Sequence, residues 1–192
     1  MSGVDDGATV AANSRVGVRL LASAVVFVFM AFVFAFLYLR ALNSDGDFRP
    51  AHTNPSQGFG VAILVCVLAA AALFEIARRR LAGGGQSGWR SASGAALVLA
   101  LAVVVLQIVE YMNLGFKTAG GGFASVFWGW TLAFLLFWLG AVYWVETLVA
   151  SSARTDGEPE SFVGPAADAC AVYLWTLAAV AALGYVLLYL VK

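Results

Sequence analysis

Charge is scarce in this 192-residue sequence: 11 basic and 11 acidic residues cancel, and together they make up only 11% of the chain. A soluble domain carries about 25% charged residues and must coat itself with polar groups. A water-soluble globule is therefore excluded, and so is an intrinsically disordered chain, which needs high charge and low hydropathy. Without a basic surplus, nucleic acid is excluded as a partner. There is a single histidine, His52. A haem with axial imidazoles plus a copper site takes several, so the chain holds no such redox centre of its own. The two cysteines, Cys66 and Cys170, lie inside apolar runs, where small-residue packing is expected rather than a disulfide framework.

What is abundant is apolar. Hydrophobic residues make up 62% of the chain, and the mean hydropathy is +0.88. A bilayer core of about 30 Å is crossed by roughly 20 helical residues, and only helices or closed barrels satisfy the backbone there. Barrel strands alternate every second residue, whereas these runs are apolar all round, which selects helix. Five spans follow, at about 20–39, 59–77, 94–112, 122–149 and 166–191. The expected fold is an all-α integral membrane bundle of five transmembrane helices, one domain over 16–192, preceded by a polar tail over 1–15. The first run is too long for a signal-peptide core, and no small-residue cleavage site follows it, so it reads as a retained anchor.

The connections carry breaker chemistry: Asp45, Gly46, Asp47, Pro50 and Pro55 after span one, glycine triplets at 83–85 and 120–122, and an acidic segment at 151–165. Asp45-Gly46-Asp47 lacks the remaining ligands of a calcium loop and reads as a turn. No internal repeat supports a two-half transporter. Positive residues number seven on the side holding the N-terminus and four on the other, which predicts a cytoplasmic N-terminus and an outer C-terminus. Trp128 and Trp130 then fall toward the outer interface, and Tyr143 and Trp144 toward the inner one. The alanines of spans two, three and five signal close helix packing.

Ionisable groups inside a membrane are functional candidates by default. Glu110, with Gln107 one turn earlier on the same face, is the foremost. It either has work to do in the membrane or is an interfacial carboxylate bonded to Gln107 or facing Lys117. Glu146 reads as solvated or arginine-paired, and Asp168 as a carboxylate at a helix N-terminus. Arg78, Arg79 and Arg80 either contact anionic lipid headgroups or set the topology. Taken alone, the residues show no catalytic constellation and no metal site.

The stretch Leu106-Gln107-Ile108-Val109-Glu110-Tyr111 resembles the Leu-Gln-x-x-Glu-Tyr of the cytochrome c oxidase subunit III family, in its five-helix bacterial form. After a short glycine-containing loop, Ala124-Ser125-Val126-Phe127 is similar to the family's Gly-Ser-x-Phe. The final span, from Val172-Tyr173-Leu174-Trp175 through Tyr185 and Tyr189, looks like its aromatic last helix. Gln107, Glu110, Tyr111 and Ser125 are the residues carried over. The carboxylate of the family's corresponding first helix, its Thr-Gly-x-His-x-x-His signature and its Trp-His-Phe-x-Asp are missing from this sequence. The resemblance implies a non-catalytic subunit of a haem–copper terminal oxidase in a bacterial inner membrane. It would pack on a catalytic subunit that carries the haem and copper, beside other oxidase subunits and membrane lipid, with bound phospholipid. A bacterial source also fits the preference for Ala, Gly and Val, and for Arg over Lys. Alternatives are a related accessory protein of nitric oxide reductase, a small transporter, or an assembly scaffold. The transporter would need polar groups along a path at mid-membrane.

Overall fold

The computed structural model describes residues 7–43, 48–50, 53–154 and 159–191. Almost all of them are helical: α1 (Gly7–Ala41), α2 (Gln57–Ala82), α3 (Gln86–Asn113), α4 (Gly122–Arg154) and α5 (Pro159–Tyr185), which runs into a π-helical turn, Val186–Leu190. No strand occurs among the described residues. All five helices are long and apolar enough to cross a membrane, so the chain is an all-α multi-pass membrane protein. Asp45, Gly46, Asp47 and His52 lie outside the described residues.

The helices outrun the spans expected from hydropathy. α1 begins at Gly7 rather than Leu20, so residues 7–15, expected as a polar tail, are helix. α3 begins at Gln86 and α5 at Pro159, so most of the acidic 151–165 segment is helical too. The cause is physical. Hydropathy measures the length that must sit in hydrocarbon, while backbone hydrogen bonding continues into the headgroup region until something breaks it. The glycine triplet at 83–85 is such a break. Gly84 takes a positive φ of 74°, which residues with a Cβ rarely adopt. The amides of Gly83, Gly84 and Gly85 bond back to Arg79 O, Leu81 O and Arg80 O, turning α2 directly into α3.

Helix α5 is the axis of the bundle, lying against α1, α2 and α4. Within its apolar window 44% of residues are buried, against 17% for α1, which places α1 on the flank. Along α1 the phenylalanines divide by face. Phe29 and Phe36 are buried, while Phe27 and Phe34 are 78% and 69% exposed. Phe29 meets Trp130 edge-on at 5.0 Å, and Phe36 meets Phe48 at 5.3 Å. Between α2 and α3 the expected alanine packing is present: Ala70, Ala71 and Ala77 face Ala92, Ala96 and Ala100 in a buried seam, where small side chains let the backbones approach. Cys66 and Cys170 are free thiols. Trp130 corrects the expected aromatic belt. It is only 2% exposed and its side chain is core, because the close approach of α5 at Gly184 leaves room for an indole there. Tyr143 is exposed and Trp144 half-buried against Tyr173.

Candidate functional site

On α3 the residues Ala96, Ala100, Val103, Gln107 and Glu110 recur at three- and four-residue spacing and are all buried, so one stripe of the helix faces the bundle. Its last two members are polar. Glu110 is only 1% exposed and accepts two hydrogen bonds, from Gln107 Nε2 at 2.8 Å and from the Tyr189 hydroxyl at 2.6 Å. Lys117 is exposed, and no ion pair joins it to Glu110 among the described residues. Of the two partners weighed from sequence, Gln107 is therefore the one found. The pair was expected at the corner of spans three and four. Through Tyr189 it instead ties α3 to the end of the chain beyond α5.

Three more residues complete the cluster. Gln57, at the start of α2, donates from Nε2 to the carbonyl of Tyr189 and accepts from the Tyr185 hydroxyl at 3.3 Å. The Tyr185 and Tyr189 rings stack with centroids 5.5 Å apart, and Phe127 meets Tyr189 edge-on at 5.9 Å. Gly60 makes the space: a Cβ there would lie 2.6 Å from the Tyr189 ring. Just outside, Arg49 donates to the carbonyl of Val191 at 3.0 Å and lies 4.1 Å over the Phe123 ring. Burial, then the nearby Arg40 charge, lowers the Arg49 pKa from its ordinary value.

The other residues singled out from sequence lie apart from this cluster or beside it. Tyr111 stacks on Trp128 with centroids 4.8 Å apart. The Ser125 hydroxyl donates to Thr118 O at 2.9 Å and Gly121 O at 3.2 Å, closing the turn that starts α4. Arg78 and Arg79 sit at the far end of α2. Arg78 binds Glu75 and also Asp168, each through contacts under 3 Å, and Arg79 binds Glu75 at 2.8 Å. Arg80 extends over Gly88. Asp168 corrects its sequence reading, since α5 starts at Pro159: it lies well inside the helix, and Arg78, rather than a helix N-terminus, is its counter-charge. Glu146 is exposed, as its solvated alternative expected.

The Glu110 cluster offers packing rather than turnover. The cleft beside it, lined by Gly60, Gln107, Thr131, Gly184 and Tyr189 among others, measures about 40 Å³. Ligand sites usually span about 300–1,000 Å³, whereas this is the size of a water molecule or so. Among the described residues no group of three His, Cys, Asp or Glu could hold a metal ion. The chain matches no protein-family model and no curated protein sequence.

Proposed function

We propose that the chain is a non-catalytic, subunit-III-like component of a bacterial haem–copper terminal oxidase, packing on the catalytic subunit in the inner membrane. One observation carries the reading. The residues of the Leu-Gln-x-x-Glu-Tyr resemblance that are buried and charged or amide-bearing, Gln107 and Glu110, serve as a brace between α3 and the chain end. Those that differ from the family are the ones that would handle protons. A chain retaining the brace and lacking the proton-handling groups suits a packing role. The broad apolar face left by α1, with Phe27, Phe34 and Leu20 outermost, leaves room for a larger partner in the membrane.

The experiment is a mild-detergent pull-down of the tagged chain from its native membrane, followed by a reduced-minus-oxidised haem spectrum. The expected result is a histidine-rich large subunit in fixed ratio, with haem bands. Haem-b-type bands from a nitric oxide reductase would keep the packing role and change the partner. A colourless preparation of the chain alone would overturn the reading in favour of transport or scaffolding. Glu110→Ala is expected to lower the yield of the complex more than its turnover per haem. Unchanged yield with lost turnover would remove the brace as the basis of the assignment.

A further inference from the structure

At the end of the bundle opposite Glu110, α1, α2 and α5 enclose a cleft of about 650 Å³. Its mouth is cationic, formed by Arg15 and Arg19 of α1 and Arg78 of α2. Its walls are apolar, including Val18, Val172 and the 45%-exposed Trp175. Both carboxylates on the rim, Glu75 and Asp168, are already held by arginines. Four arginines against these two carboxylates leave two positive charges in excess. Arg15 and Arg19 stand one turn apart on an exposed face, and neither has a carboxylate partner among the described residues.

The cleft does not stop at the arginines. Thr176 is shared with a second trough of about 400 Å³ that continues along α1 through Ala22, Ser23, Val26 and Met30. From Arg19 to Met30 this is about 16 Å at 1.5 Å per residue, the hydrocarbon depth of one leaflet, about 15 Å. A cationic mouth, a tryptophan beside it and an apolar trough one leaflet deep form the outline of a lipid. A soluble anion would use the mouth alone, and a partner helix would have no need of the unpaired arginines.

We propose that this groove is a binding site for one acidic phospholipid, its phosphodiester held by Arg15, Arg19 and Arg78 and one acyl chain laid along α1 from Val18 to Met30. The site differs from the arginine triplet read in the sequence. Arg79 is committed to Glu75 and Arg80 is turned toward Gly88, so two of the three cations come from the helical extension of α1. It requires no oxidase partner.

The test is native mass spectrometry of the full chain in mild detergent, titrated separately with phosphatidylglycerol and phosphatidylcholine. Phosphatidylglycerol is expected to be retained preferentially. The double variant Arg15→Gln/Arg19→Gln should reduce its retention by about 30-fold, the equivalent of about 1 kcal/mol for each arginine near a headgroup. Ser23→Trp keeps every charge and fills the trough from an exposed position, and it should also displace the lipid. Lys117→Gln, at the other end of the bundle, should leave retention unchanged. Equal retention of the two lipids, or unaltered phosphatidylglycerol binding in both groove variants, would overturn the proposal. So would full competition by soluble glycerol phosphate, which would reduce the site to an anion pocket. Release of a co-purifying polypeptide by Ser23→Trp with lipid binding intact would assign the trough to a partner helix instead.

Discussion

Helices α2 and α5 run antiparallel and are joined at both ends, by opposite chemistry. At one end Arg78 reaches from α2 to Asp168 on α5, within a network anchored on Glu75. At the other, Gln57 of α2 holds the carbonyl of Tyr189, whose hydroxyl is given to Glu110. The first junction is wet: the Asp168 side chain is 58% exposed. The second is dry, with Glu110 at 1% and Tyr189 at 6% exposure. A charged pair open to water gains little, because solvent screens it and both ions stay hydrated in the separated state. A buried polar group lost from its partners has nothing to replace them. Stability is therefore expected to depend on the uncharged junction more than on the ionic one, although the ionic one has the shorter list of dry atoms and the stronger nominal attraction.

The largest effect should come from Glu110→Ala. It strands the Tyr189 hydroxyl and the Gln107 amide in a buried site and opens a void, a loss of about 3 kcal/mol from the unsatisfied groups and the cavity together. Glu110→Gln keeps an acceptor for one donor and should lose about 1 kcal/mol. The check is thermal unfolding of each variant in the same detergent, followed by tryptophan fluorescence. Equal melting of Glu110→Ala and the unaltered chain would erase the distinction between the two junctions.

The parts of this arrangement that were legible in the sequence are those set by local spacing. Five crossings follow from run length alone, and Gln107 with Glu110 follows from a three-residue step on one helix face. The partners were not legible, because they lie far away along the chain: Tyr189 is 79 residues from Glu110, and Gln57 is 132 from Tyr189. Nothing local distinguishes Tyr185 and Tyr189 from interfacial tyrosines until the bundle brings α2 beside them. Asp168 misled for a related reason. Its expected position rested on where the apolar run begins, whereas the helix begins earlier and Arg78, 90 residues away, supplies the charge.

Gly60→Ala should rank second among the single changes. The added Cβ would meet the Tyr189 ring at 2.6 Å, and that ring is fixed by Glu110 on one side and Phe127 on another. Overpacking of this kind costs about 1–3 kcal/mol. Truncating the ring should relieve it, so Gly60→Ala/Tyr189→Ala is expected to be less destabilised than the sum of the two single variants. Strict additivity in the double-mutant cycle would mean that Gly60 does not create the space Tyr189 occupies.

The smallest effect separates the junctions most cleanly, because it concerns salt rather than size. Asp168→Asn removes one exposed ion pair, and pairs of this exposure contribute about 0–1 kcal/mol. The melting temperature should barely move. Its dependence on ionic strength should move more, since raising salt to 1 M shortens the screening length to about 3 Å and weakens the Arg78–Asp168 attraction before any mutation is made. The unaltered chain should therefore lose a small increment of stability between low and high salt, and Asp168→Asn should lose less of it. Glu110→Ala should keep the salt dependence of the unaltered chain while melting far lower, because screening by mobile ions does not reach a contact between uncharged donors and a buried acid. If high salt instead destabilised the chain as much as Glu110→Ala does, the ionic junction would be the dominant clamp and the order of the two ends would be reversed.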